Sequence, residues 1–258
     1  VMGNEILKQP FRPLLPDIKF LEFNNKNTLR QISSKTACVI AEPIQGEAGV
    51  IIPDEFKKQK SNYLKLLRNR CDETGALLIF DEIQTGIGRT GTLFAFEHYG
   101  IVPDILCLAK AFGGGMPLGA FISSKKIMNT LSDNPALGHI TTFGGHPVCC
   151  ADGLSALEIL LEEKLITAVK QKEKLFRQLL KHSEIKSLRS KGLLMALQFE
   201  NETKNRKIIS RCIENGVVAD WFLFCPDAMR IAPPLTISEK EIRMACAIIL
   251  KSIEEANS

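Results

Sequence analysis

Short apolar runs recur along this chain with helix-like stretches between them, at residues 36–42 (TACVIAE), 76–81 (ALLIFD), 104–109 (DILCLA) and 120–123. Runs of that length suit strands buried on both faces, and strands alternating with helices build a mainly parallel sheet. Between the first two runs, Tyr63, Leu64, Leu66 and Leu67 recur at helical spacing and Gly75 supplies a stop, which predicts a helix over 54–74. Another long helix is expected to open near Val148, through the stretch ADGLSALEILLEEK.

Beyond that helix the pattern changes to α+β. A charged helix is expected through 165–182, a strand near 193–199, and a helix near 206–215 that Gly216 ends. A terminal helix opens with Ser238-Glu239-Lys240-Glu241, a capping box in which the Ser and Glu side chains reciprocally satisfy free backbone donors. The expected organisation is a large α/β domain over 1–157 and a small α+β domain over 158–258.

Composition narrows the class. With 45% hydrophobic and 24% charged residues the chain resembles an ordinary folded protein, not a disordered or low-complexity one. Its apolar runs are far below the ~20 residues of a membrane helix, and no basic stretch leads into an apolar run with a small-residue cleavage site. A cytoplasmic protein without membrane contact is expected. The 33 basic and 29 acidic residues give a net charge of +4, too mild and too dispersed for a nucleic-acid surface. The eight cysteines include no C-x-x-C pair; Cys38 and Cys107 fall in strand-like runs and Cys71, Cys212 and Cys246 in helix-like ones, as reduced thiols would. His98, His139, His146 and His182 are scattered, so no metal site is expected.

The residues that carry chemistry lie at strand ends. Asp81 closes the run ALLIFD, Lys110 follows the run DILCLA, and Gly113, Gly114 and Gly115 come directly after the lysine. Ligands of open α/β sheets collect outside the carboxyl ends of the strands, so both side chains are expected to face one crevice. Taken singly, each is also readable as a capping or surface residue. The surroundings shift that balance.

Asp81-Glu82-Ile83-Gln84-Thr85-Gly86 and Leu108-Ala109-Lys110-Ala111-Phe112-Gly113-Gly114-Gly115 resemble two signature segments of the class III aminotransferases, which use pyridoxal 5′-phosphate (PLP). Glu42-Pro43-Ile44-Gln45-Gly46-Glu47-Ala48-Gly49 is similar to a third, and Thr141-Thr142-Phe143-Gly144-Gly145-His146-Pro147 to a fourth. The likeness extends over nearly the whole chain and is closest to the ornithine and acetylornithine aminotransferase branch. It implies part of a fold type I PLP-transferase large domain followed by a small C-terminal domain.

It also implies roles. Lys110 would form the Schiff base with PLP and afterwards shuttle the proton. That chemistry needs an amine partly unprotonated near neutral pH, and so a lysine that is buried or set beside cationic character. Asp81 would pair with the pyridinium nitrogen, and Gln84 would hydrogen-bond the phenolic oxygen. Thr142 would hold the phosphate in the active site of a neighbouring subunit, which implies a homodimer. Arg230, in Met229-Arg230-Ile231-Ala232-Pro233-Pro234-Leu235, would face a substrate carboxylate with bidentate geometry. Glu47 would pair with that arginine and release it when a dicarboxylate enters; a surface salt bridge is the plainer reading of the pair. Arg89 belongs to the family segment as a structural residue, and His146 stands where the family often has Asn. The substrates implied are an ornithine-like amino donor and 2-oxoglutarate.

The likeness does not begin where the family begins. The first 22 residues resemble the stretch that follows the family's cofactor-phosphate segment, so the expectation is a C-terminal fragment without the N-terminal third and inactive alone. The alternatives are a complete, non-catalytic interaction module, a 4-aminobutyrate-type aminotransferase, and glutamate-semialdehyde aminomutase. Retention of Lys110, Asp81, Gln84, Thr142 and Arg230 together argues against the module. Glu47 and the wording Ile83-Gln84-Thr85 argue against the aminomutase.

Overall fold

The computed structural model describes residues 3–56, 60–136 and 138–257. A short helix α1 (Glu5–Lys8) is followed by a stretch with two 3-10 turns, Gln9–Phe11 and Thr28–Gln31, and by strand β1 (Cys38–Ala41). The antiparallel strands β2 (Glu55–Phe56) and β3 (Ser61–Asn62) precede helix α2 (Tyr63–Thr74). The helix expected over 54–74 therefore begins nine residues late. Within its first part Glu55 and Phe56 pair with Asn62 and Ser61 as strands, and residues 57–59 lie outside the described residues. Asn62 is the cap, its side chain accepting from the Lys65 amide at 2.9 Å. Gly75, in the left-handed region, ends α2 as expected.

Strands β4 (Leu77–Asp81), β5 (Ile105–Leu108) and β6 (Ala120–Ser123) join β1 in a four-stranded sheet of order β1-β4-β5-β6. β1, β4 and β5 are parallel, and β6 returns antiparallel to β5. All four expected runs thus lie in one mainly parallel sheet. After the short helix α3 (Lys125–Asn129), the long helix α4 (Pro147–Glu162) starts with its proline in the first turn, where the missing N–H costs nothing. The glycine-rich stretch packs on it, the Met116 amide donating to Asp152 Oδ2 at 3.1 Å.

Helix α5 (Leu165–Leu179) leads to strands β7 (Ser187–Lys191) and β8 (Leu194–Gln198), helix α6 (Glu202–Glu214), strands β9 (Asp220–Phe222) and β10 (Cys225–Ile231), and helix α7 (Glu239–Asn257). The four strands form a wholly antiparallel sheet of order β7-β8-β10-β9. The expected capping box opens α7, with the Ser238 amide donating to Glu241 Oε2 at 2.7 Å and the Glu241 amide to Ser238 Oγ at 3.2 Å.

Strand β8 shows how this sheet is seated. Side chains alternate across a strand, and here both sets are buried. Leu194 and Ala196 join the core that Leu64, Leu67, Leu78, Phe80 and Leu106 build under the first sheet. Met195 and Leu197 join a second core with Phe176, Ile208, Ile242 and Ile249 of the flanking helices. Among the described residues no helix is long and apolar enough to cross a membrane.

Candidate active site

β4 and β5 are neighbours and parallel, so their carboxyl ends finish at one edge of the sheet. Asp81, the last residue of β4, lies in register with Cys107 of β5, and Lys110 follows two residues after that strand ends. Neighbouring strands stand about 4.8 Å apart, so the carboxylate and the amine follow from adjacent strand ends at one edge of the sheet. Lys110 has φ 52, in the left-handed region that non-glycine residues seldom occupy. This breaks the strand direction and starts the single turn Lys110–Gly113.

Asp81 is half-buried, and its Oδ1 accepts from the Ile83 amide at 3.0 Å. Among the described residues its second oxygen has no hydrogen-bond donor, and the Lys110 ammonium has no ion-pair partner. Of the two settings expected for the lysine, burial is not the one found: Lys110 is exposed.

Glu42, which the sequence reading did not single out, stands in the same electrostatic neighbourhood. It follows β1 directly and accepts from the Gly46 amide at 2.8 Å. Burial pushes its carboxyl above the ordinary glutamate value, and Asp81 and Glu47 push the same way while Lys110 opposes them. Its signal in the sequence is its place as the carboxylate ending the run TACVIAE. Glu82, next to Asp81, is 1% exposed. It accepts from the Ala95 and Phe96 amides at 2.8 and 2.9 Å and from the Thr85 hydroxyl at 2.8 Å, fixing the loop that follows β4.

Gln84 and Glu47 meet directly, Gln84 Nε2 donating to Glu47 Oε1 at 2.7 Å. Arg230 Nη1 donates to the same oxygen at 2.6 Å, while Nη2 reaches Asp220 Oδ2 and the Trp221 carbonyl, each at 3.0 Å. The Leu223 amide donates to Glu47 Oε2 at 2.9 Å. The Arg230–Glu47 ion pair is partly buried, with side chains 23% and 26% exposed. Burial alone would raise the Glu47 pKa, but the Leu223 amide, the Gln84 amide and Arg230 together hold it below the ordinary glutamate value. Asp220 was missed in the sequence. It lies opposite Arg230 in the β9–β10 ladder, and only that pairing identifies it.

Thr142 is exposed in the segment before α4, and among the described residues no hydrogen bond ties it to the other five predicted site residues. Arg89 is a seam residue. Its Nη1 donates to the Leu193 and Pro233 carbonyls at 3.2 and 2.5 Å, and its own carbonyl accepts from the Leu193 amide at 2.9 Å.

The family model for class-III aminotransferases matches residues 2–253. Among solved structures the chain is similar to the ornithine aminotransferase of Toxoplasma gondii, at 32% identity and a TM-score of 0.88 over 99% of this chain and 61% of that one. That enzyme, crystallised with oxidised glutathione, has partial occupancy of PLP at its active site. The acetylornithine aminotransferase of Elizabethkingia anophelis is 35% identical with a TM-score of 0.81, over 91% of this chain and 59% of that one. The ornithine δ-aminotransferase of Plasmodium falciparum is 30% identical with a TM-score of 0.80, over 92% and 61%. The chain thus spans only about three fifths of the length of these enzymes.

Proposed function

Since the chain belongs to the class III aminotransferases, we propose that it supplies the lysine half of a PLP site that moves an amino group between an ornithine-like donor and 2-oxoglutarate. The observation that carries this reading is the placement of an unpaired amine, Lys110, and a half-engaged carboxylate, Asp81, at and after the ends of adjacent parallel strands. The residues present fit the aldehyde and pyridine ends of the cofactor: the amine is free to attach, and one Asp81 oxygen is free to accept from a protonated ring nitrogen. When bound, PLP supplies a carbon that takes up an amine and a ring that accepts the electron pair released at the substrate Cα.

Each residue then has a task. Lys110 Nζ would hold the cofactor by its aldehyde carbon and would take and return the proton at the substrate Cα. The Asp81 negative charge keeps the ring nitrogen protonated. Gln84, hydrogen-bonded to Glu47, would donate to the phenolic oxygen. Arg230 receives a substrate carboxylate, and Glu47 occupies it when no second carboxylate is there. Thr142, exposed ahead of α4, serves the phosphate of a neighbouring subunit in a cytoplasmic homodimer, with a large domain over 1–157 and a small one over 158–258.

The test is chemical. The chain is mixed with PLP, its visible absorbance recorded, and the mixture reduced with borohydride and digested for mass mapping. Label on Lys110 is the expected result. Label confined to other lysines would remove Lys110 from the role assigned to it, and no label at all would mean that this chain does not assemble a cofactor site by itself.

A further inference from the structure

The two segments that Glu47 and Arg230 join are also joined by a second arginine. Arg189, on β7, donates from Nε to the Gly49 carbonyl at 2.6 Å, two residues beyond Glu47. Its Nη1 donates to Gln198 Oε1 at 2.5 Å and Ser187 Oγ at 3.2 Å, and Nη2 lies 3.6 Å from Cys225 Sγ. Each of these acceptors is neutral. Its place is therefore defined by directional bonds, and the rigid fork of a guanidinium lets one side chain hold several segments at once.

The turn it grips is tight. The Gly49 and Val50 amides both donate to the Gly46 carbonyl, at 3.0 and 3.2 Å, and Gln45 and Ile51 exchange two bonds of 3.0 Å across its base. Gly49 has φ 86 and Val50 φ 60. A β-branched residue in that region is disfavoured and persists only where its surroundings over-determine it. Here Val50 is fully buried. The outer side of the turn carries Glu47, whose carbonyl accepts from the Phe224 amide at 3.0 Å and whose Oε2 accepts from that of Leu223. A Cβ at Gly49 would stand 2.7 Å from both Arg189 Nη2 and Cys225 Sγ, so glycine is what admits the guanidinium.

We infer that Arg189 is a positioning residue for the Glu47–Arg230 pair: by holding the Gly49 carbonyl it fixes the turn so that Glu47 covers Arg230. Its importance to an enzyme rests on the reading of Arg230 as the substrate-carboxylate site, but its test needs neither cofactor nor turnover. Losing the Arg189 bond frees the turn, and the Leu223 and Phe224 amides lose the acceptors that Glu47 provides.

Amide hydrogen exchange on the 258-residue chain decides this. In Arg189→Ala and Gly49→Ala, exchange at Leu223 and Phe224 is expected to accelerate about tenfold or more, with Arg189→Lys intermediate and the buried amides of α6 and α7 unchanged. Unchanged exchange at those two amides in the folded variants overturns the inference. So does an acceleration shared equally by α6 and α7, which would mark a merely structural arginine. If Arg189→Ala fails to fold, Arg189→Lys and Gly49→Ala answer the same question. Titration with glutarate as a dicarboxylate probe tests the underlying reading separately: binding tighter in Arg189→Ala supports Arg230 as the carboxylate site. No glutarate binding in any variant removes that role from Arg230 and leaves the exchange result standing.

Discussion

Glu47 and Arg230 are 183 positions apart in the chain, and a 2.6 Å hydrogen bond joins Oε1 of one to Nη1 of the other. The two carboxylate oxygens of Glu47 together take three donors, from Arg230, Gln84 and the Leu223 amide. This cluster ties the loop after β1, the loop after β4 and the β9–β10 hairpin to one side chain.

That relationship fixes a pH dependence. The Glu47 pKa is depressed in the fold, so the stability it contributes is fully present above the unfolded value of about 4.3 and is lost as pH falls through the lower folded value. Glu47→Gln should therefore be less stable than the parent at neutral pH and approach it at the acid end. Urea midpoints measured from neutral to acid pH will show the two curves converging below about pH 4; parallel curves would deny Glu47 this part.

Glu82 is a buried anchor with the opposite sign. Burial raises its pKa although the Ala95 and Phe96 amides and the Thr85 hydroxyl all favour the charged form. Glu82→Ala strands those three donors in the interior, and should cost about 3–5 kcal/mol, a drop visible in the denaturant midpoint.

Asp81→Asn separates fold from function. The amide oxygen of asparagine can still accept from the Ile83 amide, so the melting temperature should stay within a few degrees of the parent. The lost negative charge should weaken PLP binding about tenfold or more, read by titrating the cofactor into both proteins.

Gly192 lies in the β7–β8 turn with φ 59, and a Cβ there would come within 2.6 Å of the Arg89 carbonyl oxygen. Because the obstacle is backbone, relief requires the sheet to move off the first core. Gly192→Ala should cost more than about 2 kcal/mol and lower the melting temperature clearly. A variant as stable as the parent would show that this seam yields easily.

Much of the fold was legible locally. The runs at 36–42, 76–81, 104–109 and 120–123 contain β1, β4, β5 and β6, and the Ser238 box opens α7. Hydrogen-bonding caps and runs of apolar side chains act within a few residues, so a sequence displays them. The pairing of Glu55 and Phe56 with Asn62 and Ser61 falls where the sequence predicts helix, since residues that form so short a ladder carry no periodicity of their own. β7, β9 and β10 were not separated from their surroundings for a related reason. They are charged or interrupted strands, whose identity depends on the partners in the ladder.

For the site, the sequence by itself determined which groups end the strands: Asp81 on β4, Lys110 after β5, Glu42 after β1. Those positions follow from where apolar runs stop, a local fact. Tertiary structure alone decided that Glu47 meets Arg230, that Asp220 and the Leu223 amide join them, and that Arg189 holds the turn through the Gly49 carbonyl. It also decided that β8 buries both faces and that Lys110 stands exposed. These contacts span up to 183 positions, and they exist because one sheet docks on the core of the other. That docking is the sum of many weak apolar contacts, and no short stretch of sequence records it.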